Sequence, residues 1–240
     1  MSRLRKLYFI RLVGRIVVFL FAIAVYFWRP EALEVLQKGN FFKEFSVLHI
    51  LWGIWMIDMI CQLVPIKKNI PLGSQKLFKQ RFKPIREKIN YQALKEYAIS
   101  TTKAAYKVFI LWVILIGALG VLYHFEILTA SHLFLVSVAF YVCDLICVLI
   151  WCPFRLIMRN KCCTTCRIFN WDHMMMFTPM VFIDGFYSIS LLAIALAVWI
   201  LWEVCTMLYP ERFWERSNAA LQCSQCTDKL CTQYCQKLRR

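Results

Sequence analysis

Residues 174–209 read MMMFTPMVFIDGFYSISLLAIALAVWILWEVCTMLY, 36 residues with only Asp184 and Glu203 charged. As one helix at 1.5 Å per residue this stretch would be about 54 Å long. A bilayer core is about 30 Å thick. The stretch must therefore break, and Pro179 and the Asp184-Gly185 step are the natural places. The leading expectation is a short interfacial segment over 171–183 followed by one span over 186–208, with Asp184 as its N-cap. That arrangement sends the chain's end to the outer side. The alternative is a re-entrant hairpin, which returns the end to the cytoplasm.

Four more apolar runs of membrane-spanning length precede it, at 8–28, 46–64, 106–123 and 132–152. Hydrophobic residues make up 60% of the chain and aromatics 16%, above the share of a soluble domain. The fold class read from this is all-α: a polytopic helical membrane protein with about five transmembrane helices, each satisfying its own backbone hydrogen bonds. The membrane domain covers 1–209, and 210–240 is a cysteine-rich tail. The first run has the basic start of a signal peptide. It ends in Trp28-Arg29-Pro30 rather than small residues, so it is expected to stay as a helix. Residues 90–107 contain helix formers and no Gly or Pro, which predicts one long helix continuing into the third span.

Charge sets the expected orientation. Arg3, Arg5, Lys6, Arg11 and Arg15 open the chain, ten Lys and Arg lie in 66–105, and Arg155, Arg159, Lys161 and Arg167 follow the fourth span. The loop after the third span has no Lys or Arg. Basic residues favour the cytoplasmic side, which places the N-terminus and these two loops inside a cell membrane crossed several times. The tail conflicts with this. Its Arg212, Arg216, Lys229, Lys237, Arg239 and Arg240 prefer the inside, yet five spans put it outside. The net charge of +15 is spread over membrane-flanking loops, which argues against a nucleic-acid partner. The expected partner is the lipid bilayer, with anionic lipid at the loop where Leu77, Phe78 and Phe82 sit among Lys76, Lys79, Arg81 and Lys83. A protein partner or homo-oligomer stays open. Trp199, Trp202 and Tyr209 read as an outer aromatic belt, with Glu203 snorkelling to water.

Two spans carry a carboxylate. Asp58-Met-Ile-Cys61-Gln-Leu63 and Asp144-Leu-Ile-Cys147-Val-Leu149 share Asp-x-Ile-Cys-x-Leu 86 residues apart, with Trp55 and Tyr141 three places before each Asp. This suggests a parallel repeat of two hairpins, an arrangement used by transporters. Charge within a bilayer is costly and usually functional. Asp58, Asp144, Cys61 and Cys147 therefore form a candidate intramembrane site for protons or a cation. The alternative is structural: neutral Asp bonded between helices, and Cys as a small packing residue.

Cysteine spacing points to a second chemistry. Cys152-Pro153 closes the fourth span and Cys162, Cys163 and Cys166 follow. Cys163, Cys166 and His173 make C-x2-C-x6-H, a half-site that Cys152 or Cys162 could complete around zinc or an iron–sulfur cluster. In the tail, Cys223, Cys226, Cys231 and Cys235 run C-x2-C-x4-C-x3-C. That is near the cluster spacing C-x2-C-x2-C-x3-C, with a longer middle gap and Gln236 in place of the usual proline. Zinc, an iron–sulfur cluster or two disulfides all fit this tail, and disulfides lead if it is outside. The functional reading is an integral membrane protein with a cysteine-based metal or redox site handling electrons or a soft metal ion. The alternative is a small transporter or channel-like protein using the intramembrane Asp residues.

Overall fold

A computed structural model of the chain describes residues 3–37, 39–43, 45–64, 77–79, 82–85, 89–160, 165–222 and 224. Its helices are α1 (Arg3–Trp28), α2 (Val47–Leu63), α3 (Tyr91–His124), α4 (Ala130–Leu149), α5 (Phe154–Met158), α6 (Asp172–Phe177) and α7 (Phe186–Leu208). The described residues contain no β-strand, only an isolated bridge between Pro84 and Asn218. Four of these helices, α1, α3, α4 and α7, are long and apolar enough to cross a membrane, and the 17-residue α2 is apolar but shorter. The chain is a multi-pass helical membrane protein, as the run lengths predict.

Local sequence explains the helix ends. Ser46 and His49 form a capping box at the start of α2. Thr129 and His132 do the same for α4, and His132 Nε2 also lies 3.1 Å from the Tyr26 hydroxyl on α1. Asn90 caps α3 by accepting from the Ala93 N–H at 3.1 Å. Helix α3 runs unbroken for 34 residues, about 51 Å. Its first turns therefore project about 20 Å beyond a bilayer core. The N-cap of α7 is Gly185, not Asp184.

The segment between Trp171 and Gly185 overturns the expected topology. It does not lie along the membrane surface. It runs through the bundle, with Met176, Phe177, Met180 and Ile183 in one buried cluster with Trp55 of α2, Phe134 of α4 and Tyr187 of α7. At one end His173 meets Gln62, one residue from the end of α2. At the other, Gly185 lies against the Leu36 carbonyl in the 3-10 turn Pro30–Leu36, which links α1 to α2. A short α-helix, a 3-10 turn over Thr178–Phe182 and a tight turn at Asp184, closed by the Gly185 N–H to the Ile183 carbonyl at 3.1 Å, carry the chain from the end of α2 to the Leu36 turn.

Such a broken crossing exposes backbone groups that lipid cannot satisfy, so protein must do it. Ser188 Oγ donates to the carbonyls of Ile183 at 2.6 Å and Gly185 at 2.9 Å. Thr178 Oγ1 donates to the Met175 carbonyl at 3.0 Å and accepts from Trp112 Nε1 of α3 at 2.8 Å. Close packing supplies the rest, because lipid offers little hydrophobic drive between helices. A Cβ on Gly185 would collide with the Leu36 carbonyl, and one on Gly120 of α3 with the Phe182 ring.

With this extra crossing, α7 runs back and ends on the face where α1 begins. Residues 209–222 pack there against the second loop. Arg212 Nη1 donates to the Leu77 carbonyl at 3.0 Å, and the backbones of Ile85 and Ala219 bond to Ser217 and Lys83. Leu77 is buried in a cluster with Val108, Met158, Trp202 and Phe213 rather than spread on a lipid surface. Glu203 and Trp202 are corrected likewise. Glu203 pairs with Arg167 and accepts from Trp171 Nε1 at 2.9 Å, while Trp202 is fully buried. The described parts of the basic segments thus share one face, called here the basic face.

Candidate functional site

Three helices meet at a cluster of charged groups in the half of the bundle next to the basic face. Arg15 lies in the middle of α1. Its Nη1 donates to Asp144 Oδ2 at 2.6 Å and to the Tyr141 carbonyl at 2.7 Å, both on α4. Its guanidinium carbon stands 4.0 Å from the centre of the Tyr141 ring. One cation thus uses an ion pair, a carbonyl and an aromatic face at once.

The broken crossing brings His173 into the same region. Its Nε2 lies 3.2 Å from Asp58 Oδ2 on α2, and its Nδ1 lies 3.3 Å from Asp172 Oδ1. Gln62, itself buried, places its Nε2 3.1 Å from the same Nδ1. The Gln62 Oε1 is buried without a partner among the described residues. A carboxamide turned by half a rotation exchanges its donor and acceptor. Gln62 can therefore donate to a neutral ring or accept from a protonated one. The two pairs form one electrostatic cluster, since Asp172 acts on Arg15 and on Asp144, and His173 on Asp144. Three carboxylates face one guanidinium and one imidazole. With the ring neutral the cluster has an excess of negative charge, and a proton on His173 reduces it.

The sequence repeat does not extend to these partners. Asp58 bonds to His173, whereas Asp144 bonds to Arg15, and the residue 86 places after Arg15 is Thr101. Cys61 stays a half-buried free thiol.

Beside the cluster is a cavity of about 310 Å³ lined by Asp144 and Asp172, by the thiols of Cys143, Cys147, Cys152 and Cys166, and by Met175 and Met176. Trp112, Phe140, Phe154 and Phe169 complete an apolar wall. Helix α4 ends at Leu149, and the N–H groups of Ile150 and Trp151 both bond to the Ile146 carbonyl, at 2.8 and 3.1 Å. This tight exit keeps Cys152 at the cavity that Cys147 also lines. Cys152 lies beyond the end of the spanning helix. The Cys147 hydrogen bond, aided by the backbone N–H groups of Arg155 and Phe154 and by the Arg155 charge, holds its thiol below the ordinary thiol range against the effect of burial.

Among the described residues, no three His, Cys, Asp or Glu side chains gather as a metal site. Both ring nitrogens of His173 face Asp58, Asp172 and Gln62. Cys162 and Cys163, and the tail's Cys223, Cys226, Cys231 and Cys235, lie outside the described residues. Sequence reasoning missed Arg15, Gln62 and Asp172 as members of the cluster. Arg15 stands out as a basic residue seven positions into an apolar run, but by sequence alone it reads as an orientation signal. Met174, Met175 and Met176 are buried in protein. No family model, no curated protein and no solved structure matches the chain.

Proposed function

We propose that the chain is a small cation-translocating membrane protein, with protons as the simplest cargo. Asp58 and His173 are the binding pair, and Arg15–Asp144 is the adjacent ion pair that fixes their field. The observation that carries this reading is the broken crossing, which sets His173 between Asp58 and Asp172 within a helical bundle. Ionisable groups within a membrane-spanning bundle commonly mark ion sites, and here the basic-face end of the broken crossing brings an imidazole to a carboxylate. The excess of carboxylates suits a cation, and the rotatable amide of Gln62 lets the ring change protonation without losing a partner. By the distribution of basic residues, the site opens from the cytoplasmic half.

The test is proton flux into liposomes holding the purified protein and a pH-sensitive dye, driven by a potassium diffusion potential. Flux should exceed that of protein-free vesicles and fall at least tenfold in Asp58→Asn and in His173→Gln. Wild-type flux equal to the empty vesicles, or full flux in Asp58→Asn, refutes the reading.

A second reading, a soft metal ion or electrons handled by thiols, is favoured by one observation. Cys143, Cys147, Cys152 and Cys166 line a single cavity together with two methionine sulfurs. Zinc or an iron–sulfur cluster would also need Cys162, Cys163 or the tail cysteines. Metal analysis of anaerobically purified protein distinguishes this reading from the first.

A further inference from the structure

We propose that Cys147 and Cys152 form a redox-active dithiol that reduces a quinone-class acceptor held in the cavity beside them. This rests on two cysteines lining one cavity and stands whether or not the acid cluster conducts cations.

The two cysteines stand on either side of the exit of α4, Cys147 in its last turn and Cys152 just beyond it. Neither is locked away, since both line the cavity of about 310 Å³. That volume falls in the range of roughly 300–1,000 Å³ common to small-molecule sites, which are mostly apolar with a few directed polar groups. The occupant must match the lining. Trp112, Phe140, Phe154 and Phe169 offer flat aromatic surface beside the end of a membrane-spanning helix, which suits a planar apolar ring. Water-soluble disulfides such as oxidised glutathione are anionic. Here they would meet Asp144 and Asp172 and find no basic side chain among the described residues of the lining.

The reaction balances without a further reactant. Cys152 sulfur, as thiolate, adds to a ring carbon of the quinone and forms a carbon–sulfur bond. Cys147 sulfur then attacks the Cys152 sulfur, forming the disulfide and breaking the carbon–sulfur bond. The ring leaves with two electrons, and the two thiol protons end on its oxygens. Two thiols and one quinone become one disulfide and one hydroquinone. Cys152 is the nucleophile because its environment favours the thiolate.

The experiment uses the full chain, reduced, desalted and kept in detergent, mixed with decyl-benzoquinone. Hydroquinone formation is followed by absorbance, and the disulfide is located by peptide mass spectrometry. The expected result is a Cys147–Cys152 disulfide formed together with hydroquinone. Cys147→Ser and Cys152→Ser should each slow hydroquinone formation at least tenfold, and Cys205→Ser, outside the cavity, should not. Val148→Phe, which fills the cavity while leaving both thiols, should slow the quinone reaction tenfold but not reaction with the small probe hydroxyethyl disulfide. Absence of the Cys147–Cys152 disulfide in wild type, an unchanged rate in Cys152→Ser, or no effect of Val148→Phe overturns the proposal. Faster oxidation of the wild-type pair by hydroxyethyl disulfide than by the quinone also overturns it.

Discussion

Replacing Arg15 by Met and Asp144 by Leu, singly and together, tests whether the charge cluster is held as described. The pair is short, 2.6 Å, and its side chains are only 14% and 25% exposed. Removing one member of a buried pair typically costs about 3–5 kcal/mol, because the other is left without its counter-charge. In Arg15→Met the penalty has a ceiling. Protonating an ordinary carboxyl at pH 7 costs about 4 kcal/mol, and the abandoned Asp144 can take that route. Arg15 cannot lose its proton, but in Asp144→Leu it keeps the Tyr141 carbonyl and ring. Both single variants therefore belong in the same range. The double variant removes both charges and leaves apolar side chains of similar size, a change that is often neutral or stabilising. At about 2–4 °C per kcal/mol for a chain of this size, each single variant should melt about 6–20 °C below wild type. The double variant should melt within a few degrees of it. The measurement is the fraction of each protein remaining monodisperse on size-exclusion chromatography after heating in detergent. Additive losses, with the double variant as unstable as the two singles combined, would show that Arg15 and Asp144 do not rely on each other.

Two further outcomes are expected. Tyr97, on the projecting part of α3, donates to the Phe213 carbonyl at 3.3 Å and stacks on Trp214 at 5.7 Å. Tyr97→Phe should lose about 1 kcal/mol of tail docking, read as a roughly fivefold faster tryptic cut at Arg216. Burial pushes the Tyr97 phenol up to about 12, so its folded value lies above its unfolded one. The stability it contributes is complete below about pH 10 and lost as pH rises towards 12. That pH dependence should be absent from Tyr97→Phe. Gly185→Ala drives a methyl group into the Leu36 carbonyl, a backbone atom with little room to move. It should cost about 1–3 kcal/mol and lower the melting temperature, and an unchanged value would mean that the broken crossing does not pack this tightly against the 3-10 turn.

Much of the fold was legible because lipid imposes few choices. Apolar runs of bilayer length must be helices, and α7 occupies the expected 186–208 while α3 runs on from Asn90 as predicted. The cluster was half legible. Asp58 and Asp144 stand out because charge in a membrane is expensive, and both are paired. Their partners did not stand out. Arg15 resembles the orientation charges that precede it, and His173 resembles a ligand for Cys163 and Cys166 because those residues are neighbours in sequence. That Cys147 and Cys152 line one cavity depends on how tightly the chain turns after Leu149, which composition does not reveal.

The topology shows how one local assumption spreads through a membrane protein. Breaking 174–209 at Pro179 and at Asp184-Gly185 predicts an interfacial segment over 171–183 and a tail outside. The segment instead passes through the bundle as a short helix and a 3-10 turn, and Ser188 and Thr178 bond the carbonyls of Ile183, Gly185 and Met175. The positive charges of the tail had already pointed to the other answer. Arg212 sits beside Leu77, and Arg167 beside Glu203, both on the basic face with the N-terminus. When the count of spans and the distribution of charge disagree, the shortest and most interrupted apolar segment is the one to reconsider. Here that segment also carries His173, so the crossing that returns the chain to the basic face is the one that brings the imidazole to Asp58.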